Sequence, residues 1–214
     1  AILERLVQRP GGRPDAPEVG GPCAQVQRHA AERGGVAQAR PHAARLDLEG
    51  DAFAREGGRE YLFGLVSLEE DGQPRYRAEW ATTDAEEKAA FEQVVELIME
   101  AWKLDPGMHV YHYAPYEPSA FKRLMGRYAS RESEIDRMLR AGLFVDLYGV
   151  VRQSVRASVE RYSIKDLEPF YEFKREVALE DARTNLRIVE RALELHAPDL
   201  LSDDVRTAVA GYNR

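Results

Sequence analysis

The chain has 214 residues, of which 44% are hydrophobic and 31% are charged, and its net charge is −7. That length suits one domain, or one domain with an appendage, and that balance is typical of a globular protein. No apolar run of about 18 residues is present, so we predict no membrane span. The single cysteine, Cys23, excludes an internal disulfide framework and a zinc site built on cysteines, so a reducing, cytoplasmic setting is expected.

Charge is unevenly distributed along the chain. The overall excess of acids argues against a nucleic-acid partner, but residues 122–165 contain ten basic and five acidic side chains. A basic stretch inside an acidic protein can follow a phosphate backbone. The alternative is that these side chains form ordinary solvated helix faces, and the mixed-charge pattern leaves both interpretations open.

The first part of the chain differs in composition from the rest. Residues 1–44 are rich in Gly, Pro, Ala and Arg and contain few large apolar side chains. Such a composition buries too little surface to offset chain entropy. We therefore predict a linker or poorly ordered segment over 1–44 and a folded domain over 45–214.

Hydrophobic patterning predicts five strands in the domain, at 45–49, 61–68, 75–81, 108–113 and 143–147. Asp71-Gly72 is a strong hairpin signal, so the first three strands should form an antiparallel meander. Right-handed crossovers would make the first, fourth and fifth strands parallel. The expected fold class is α/β, with a mixed sheet of three meander strands and two parallel strands flanked by helices.

Helical signals fill the segments between and after these strands. Thr83 and Glu86 form a predicted capping box that begins a long helix, which Asp105-Pro106-Gly107 ends. Ser163 and Ser202 are predicted N-caps of later helices. Shorter helices are expected near 117–127, 131–141, 147–157, 163–172, 179–196 and 202–214.

Acidic residues cluster at the predicted carboxyl ends of the parallel strands. In the stretch RLDLEGDAF, Asp47 and Glu49 are two positions apart and therefore share one face of a strand. Glu117 follows the fourth strand and Asp146 ends the fifth. Ligand sites in such sheets lie outside the carboxyl ends of the strands. Hard oxygen ligands without a His or Cys set favour Mg²⁺ or Mn²⁺.

Four segments resemble a known family. DLEGDAF, HVYHYAPYEPSAFKRL, AGLFVDLYGVVRQ and YSIKDLEPFY resemble the RNase H-like domain of predicted RecB-family nucleases. This is the YprB-like group of the DEDD, or DnaQ-like, exonuclease superfamily. The resemblance covers residues 46–214 and implies an RNase H-like fold and 3′–5′ exonuclease chemistry with two Mg²⁺ or Mn²⁺ ions.

The resemblance assigns roles to individual residues. It implies that Asp47 and Glu49 are metal ligands of the first motif. In HYAPYE, Glu117 occupies the position of the usual Asp of the second motif, with Tyr116 as its aromatic residue and His112 at its head. The longer Glu side chain moves that carboxylate outward by one methylene, which a metal-ligand role must accommodate.

Later segments complete the carried-over assignments. Asp146 in FVDL lines the implied site, and Lys165 in SIKDLEP could contact phosphate. Tyr212 fits the start of the third motif, whose last catalytic Asp is expected beyond Arg214. On this interpretation the chain as given has little or no activity by itself.

Each assignment has a structural alternative. Glu117 could be a first-turn acid that interacts with a helix dipole, and Asp146 could be an N-cap. His112 could be a packed strand histidine. Tyr113 and Tyr116 could stack on bases or pack in the core. Further candidate nucleic-acid contacts are Lys165 and Tyr212.

The expected function is hydrolysis of phosphodiester bonds in a single strand, DNA by preference and RNA as an alternative. Two metal ions about 3.5–4 Å apart can activate water and stabilise the leaving oxygen. The alternative is a non-catalytic nucleic-acid-binding or structural module of RNase H-like fold. Either would act with neighbouring nuclease or helicase domains in a longer protein.

Overall fold

The computed structural model describes residues 43–68, 73–171, 173, 175 and 177–214. The Asp71-Gly72 turn and residues 1–42 of the predicted linker lie outside these residues. The strands are β1 (Ala44–Asp51), β2 (Arg59–Leu68), β3 (Pro74–Trp80), β4 (Val110–His112) and β5 (Phe144–Asp146). The helices are α1 (Asp84–Leu104), α2 (Tyr116–Tyr128), α3 (Glu132–Arg140), α4 (Leu147–Ser154), α5 (Ile164–Leu167), α6 (Leu179–Glu194) and α7 (Asp203–Asn213).

The five strands form one mixed sheet in the order β3-β2-β1-β4-β5. β1 pairs with β2 and β2 with β3 in antiparallel fashion, whereas β1 pairs with β4 and β4 with β5 in parallel. The predicted α/β fold class is therefore confirmed, including which strands are parallel. β1 is the central strand, and its side chains alternate between the two faces of the sheet.

The larger core lies between one face of the sheet and helices α1, α2 and α3. Leu46 and Leu48 of β1 belong to it, and Phe91 of α1 meets Phe121 of α2 edge-on with ring centroids 5.5 Å apart. The helical spacing of apolar residues that predicts α1 therefore identifies the side that packs on the sheet.

A second core lies on the opposite face, beneath α6 and α7. Leu62 of β2 packs there with Val189 of α6 and Val209 of α7. Because Leu46 and Leu48 point into the first core, Asp47 and Glu49 project on the α7 side. The alternation of β1 thus places both acids under the last helix.

The predicted N-caps are present, and two of the predicted helices end earlier than expected. The Thr83 capping box is present, and the Ser163 and Ser202 side chains accept hydrogen bonds from the backbone. The helix predicted over 163–172 is wrong in its second half: α5 ends at Leu167, and a 3₁₀ helix follows, because Pro169 lacks a donor N–H. The helix predicted over 147–157 ends at Ser154, because the next residue, a β-branched valine, is extended.

A buried polar layer lies where β2, α1 and α2 meet. Glu87 of α1 is fully buried and accepts hydrogen bonds from the Glu60 backbone N–H at 2.6 Å, from Arg127 Nη1 at 3.0 Å and from the Tyr128 hydroxyl. Glu60 in turn accepts from Arg123. The four side chains Glu60, Glu87, Arg127 and Tyr128 are called the polar layer below. Among the described residues, no helix is long and apolar enough to cross a bilayer.

Candidate functional site

Asp47 and Glu49 lie side by side on β1, on the face that α7 covers. Asn213, the last residue of α7, donates from Nδ2 to Glu49 Oε1 at 3.3 Å and to the Asp47 carbonyl at 3.4 Å. Its own Oδ1 accepts from the Tyr76 hydroxyl at 2.9 Å. Gly64 of β2 makes this approach possible, since a Cβ there would collide with Asn213 Oδ1. The end of α7 therefore rests directly on the acidic pair.

Arg45 is a basic neighbour of this pair that the sequence interpretation did not assign. Its Nη2 lies 3.1 Å from Asp47 Oδ2, and it also donates to the Asn213 carbonyl. Strand alternation puts position 45 on the same face as position 47, so the sequence contained the signal. Asp47 is still 37% exposed in its side chain.

Glu117 approaches from the first turn of α2. Its side chain is buried, and its Oε2 has no hydrogen-bond partner. Burial raises the pKa of Glu117 to about 8, against hydrogen bonds from the backbone N–H groups of Glu117 and Leu48, and the charges of Asp47 and Asp146 add to the rise. Glu117 therefore lies within electrostatic reach of carboxylates on β1 and β5.

The turn before α2 is held in an unusual conformation. Ala114 has a φ of 69°, a left-handed value that costs a non-glycine residue about 1–3 kcal/mol. Asp146 Oδ1 accepts from the Ala114 N–H and from the Tyr148 N–H, both at 2.9 Å. Asp146 is thus the N-cap of α4 and also fastens the turn that aims Glu117. The observed hydrogen bond from Tyr148 to Asp146 is the one that the N-cap interpretation predicts.

His112 is a packed strand histidine in this structure. Burial lowers the pKa of His112, so its imidazole is neutral near pH 7. Its Nδ1 lies 2.6 Å from the Ala114 carbonyl, and because a carbonyl can only accept, Nδ1 carries the proton. Glu117 Oε2 lies 3.7 Å from Nδ1, beyond hydrogen-bond length. The ring packs edge-on against Phe144.

Burial disfavours the charged form of both acids of β1. Burial, with a smaller effect of the Asp47 charge, raises the pKa of Glu49 to about 7, while the Asn213 hydrogen bond opposes this rise. Burial likewise raises the pKa of Asp47, while Arg45, Arg175 and Lys165 lower it. All three candidate ligands therefore hold negative charge less readily than a solvated carboxylate does.

A divalent cation fits the chemistry of this donor set. The donors are hard carboxylate oxygens, and one of them is a buried oxygen without a hydrogen-bond partner among the described residues. A cation would offset the cost of burying their negative charge, which is the largest cause of their raised pKa values. Their positions do not form a preformed cage: among the described residues, no three His, Cys, Asp or Glu side chains are grouped closely enough to hold a metal ion. Binding would have to draw Asp47, Glu49 and Glu117 together.

The tyrosines assigned to nucleic-acid contact lie in different surroundings. The Tyr113 hydroxyl donates to the Tyr162 carbonyl, and the Tyr113 ring packs edge-on against Tyr148, as core packing requires. Tyr116 is 43% exposed, and its hydroxyl donates to Glu60 Oε2 at 2.9 Å. Tyr212, on α7, lies under two basic side chains. Tyr116 and Tyr212 are therefore better placed than Tyr113 for contact with a ligand.

Much of the basic stretch over 122–165 is neutralised locally. Arg127 pairs with buried Glu87, Arg131 with Glu96, and Arg137 lies over the Trp102 ring at 5.5 Å. This part of the stretch matches the interpretation as ordinary helix faces. Lys165 differs, since it lies close enough to lower the pKa of both β1 acids.

Stability without divalent metal is expected to fall as pH rises, and Glu117→Gln should remove part of that fall. The folded chain keeps a proton on Glu117 up to about pH 8, whereas the unfolded chain loses it near 4.5. Between these values the folded state binds more protons, so the free energy of unfolding declines by about 1.4 kcal/mol per pH unit. Urea unfolding at a series of pH values, with EDTA present, measures both proteins. Parallel pH curves for the two would contradict the assignment.

The comparison with protein families agrees with this geometry. The family model of the RNase H superfamily matches residues 44–189, from the first residue of β1 into α6. No curated protein and no solved structure matches the chain. The matched segment spans more than half of the chain and includes Asp47, Glu49, Glu117 and Asp146. The chain therefore belongs to the RNase H superfamily.

Proposed function

We propose that the chain is a 3′–5′ exonuclease domain of the YprB-like, RecB-family group that hydrolyses single-stranded DNA with two Mg²⁺ or Mn²⁺ ions. The observation that carries the proposal is the buried Glu117 side chain, whose Oε2 has no hydrogen-bond partner among the described residues. This side chain lies within electrostatic range of Asp47, which shares one face of β1 with Glu49. RNase H-like nucleases hydrolyse nucleic acids and generally use divalent metals. The exonuclease polarity, the ions and the preference for DNA are the proposed part.

We assign a separate role in this function to each residue of the site. Asp47 and Glu49 would hold metal from β1 and Glu117 from α2, while Asp146 keeps the Ala114 turn in place. Bound metal ions supply an activated water and charge stabilisation for the leaving oxygen. Asn213 at the end of α7 touches Glu49, so this end of α7 lies next to the proposed ligands.

Two exposed aromatic rings are close in sequence to the acids of β1 and α2, and such rings suit a single strand. Phe53 follows β1 by two residues and is 84% exposed, and Tyr116 directly precedes Glu117. Aromatic platforms of this kind stack on unpaired bases with little sequence preference, at about 1–3 kcal/mol per base. Phe53 was not identified from the sequence, because a phenylalanine after a strand gives no signal of exposure.

A non-catalytic nucleic-acid-binding or structural module remains the second candidate. Two observations favour it: the described carboxylates form no metal-holding group of three, and the Arg45 guanidinium already pairs with Asp47. In such a module the sheet and its basic neighbours would be retained while the acids serve only local packing. Binding of divalent metal separates the two candidates.

Calorimetric titration with Mn²⁺ above pH 8 tests the proposal directly. At that pH the carboxylates are ionised, as metal ligands must be. We expect Mn²⁺ to bind the chain and Glu49→Gln to weaken binding by at least about tenfold. Glu79→Gln is the matched control, since Glu79 lies on β3 and, within the described part of the chain, accepts a hydrogen bond from Gln93 at 2.9 Å. Equal Mn²⁺ binding by the Glu49 variant and the wild type would favour the non-catalytic module.

A further inference from the structure

Two basic side chains converge on one aromatic ring next to the acidic site. Lys165 Nζ lies 5.3 Å from the centroid of the Tyr212 ring, and Arg175 Cζ lies 5.1 Å from it. The three residues belong to α5, to the segment after the 3₁₀ helix and to α7, so the fold brings them together. We call Lys165, Arg175 and Tyr212 the basic cluster. Cation–π contact holds both charges against the ring.

Arg175 is fixed by a second contact that leaves part of its guanidinium available. Glu168, itself 8% exposed, accepts from Arg175 Nε at 3.0 Å and from Nη2. This paired geometry occupies one edge of the guanidinium. The remaining Nη1 amine makes no hydrogen bond to the described residues. The ion pair with Glu168 therefore orients Arg175 and leaves its Nη1 group available to donate to a ligand.

Lys165 is the exposed cation of the cluster, and its side chain has a flexible stem. Its side chain is exposed, and it makes no ion pair with any carboxylate in the part of the chain that the structure describes. A lysine ammonium keeps three rotatable donors on a flexible stem. It can therefore follow a ligand atom while Arg175 stays in place.

The cluster lies within electrostatic range of the β1 acids. Tyr212, which both cations contact, directly precedes Asn213, whose Nδ2 lies 3.3 Å from Glu49 Oε1. A phosphodiester that approached the carboxylates without these cations would meet more negative charge. Positive groups beside the acids therefore favour the binding of an incoming nucleic-acid backbone.

From this arrangement we infer that Lys165 and Arg175, held against Tyr212, bind a backbone phosphate of the single strand whose scissile bond faces Asp47 and Glu49. Arg175 donates from Nη1 and Lys165 from Nζ to the non-bridging oxygens. Neither donor depends on a metal ion, so the contact forms with or without metal. The inference deepens the proposed nuclease function and rests on it for the identity of the ligand.

The salt dependence of binding tests this inference without hydrolysis. A fluorescently labelled single-stranded oligonucleotide is titrated with the chain in EDTA, from about 50 to about 200 mM salt. The slope of log K against log salt should become shallower by about 0.7 in Lys165→Gln, the value for one lost phosphate contact on a single strand. Lys122→Gln is the matched control, because Lys122 is an exposed lysine of α2 on the opposite face of the sheet.

A second variant probes Arg175 while avoiding a buried unpaired acid. Arg175→Gln combined with Glu168→Gln removes both members of the ion pair, and we expect a further loss of about 0.7 in the slope. A Lys165→Gln slope equal to wild type, or no measurable oligonucleotide binding by the wild type, would overturn the inference. A Lys165-dependent slope without Mn²⁺ binding would instead refute the nuclease proposal and leave the phosphate contact standing.

Discussion

Replacing Asp47 by Asn is expected to lower Mn²⁺-dependent hydrolysis of single-stranded DNA by about 10³-fold or more. Bound metal supplies several kcal/mol of transition-state stabilisation, and each 1.4 kcal/mol is about tenfold in rate. Asp47 is the candidate ligand whose charge raises the pKa of both Glu49 and Glu117. Release of nucleotides from a 3′-labelled strand by the full-length protein measures the rate.

The matched control for this substitution is Asp136→Asn. Asp136 lies on α3, is 57% exposed and pairs only with Arg140, so hydrolysis should be unchanged. Asp47→Asn also removes the ion pair with Arg45, so its thermal midpoint is measured in parallel to exclude unfolding as the cause. Metal-dependent hydrolysis that survives in folded Asp47→Asn would refute the assigned role. Release of nucleotides from the 5′ end of the strand before the 3′ end would refute the proposed polarity.

Glu87→Ala is expected to destabilise the fold by about 3–5 kcal/mol, the cost of breaking a buried ion pair from one side. Glu87 is fully buried in the polar layer. Its removal leaves the Arg127 charge, 14% exposed, without its ion-pair partner, and the Glu60 backbone N–H without the acceptor that it meets at 2.6 Å. The carbonyls of Gly57 and Gly58 still accept hydrogen bonds from Arg127, but they carry no negative charge. Urea unfolding at pH 7 gives the free-energy difference.

Glu96→Ala on the same helix provides the comparison. Glu96 is 59% exposed and pairs with Arg131 at 3.2 Å, and exposed pairs of this kind contribute at most about 1 kcal/mol. The two substitutions remove the same side chain from α1, so helix propensity cancels between them. A similar loss of stability in both variants would mean that burial of the Glu87 pair contributes nothing specific.

The sequence predicts the fold well because its signals are local. Each strand was recognised from its apolar pattern, and the order of elements along the chain then left few ways to arrange a sheet. The errors occur where local patterns are weakest. β1 runs on to Asp51 instead of ending at position 49, because a register shift after Glu49 lets pairing continue past Gly50. Pro169 shortens α5 although the surrounding residues suit a helix.

The candidate site was predicted only in part, for a physical reason. Asp47, Glu49 and Glu117 could be found because strand ends and short motifs mark them. Arg175 and Asn213 reach the acids through tertiary packing, and no local pattern indicates which side chain will arrive from so far along the chain. The unpartnered oxygen of Glu117 is likewise a property of its surroundings rather than of any motif.

The contact between Asn213 and the Asp47 carbonyl joins residues 166 positions apart. During synthesis, β1 leaves the ribosome long before α7 exists, so the acids are exposed to solvent until the last helix docks over Gly64. Assembly of the contact between α7 and the acids therefore waits until α7 has been translated. Until then Glu49 lacks the hydrogen bond from Asn213 that favours its charged form.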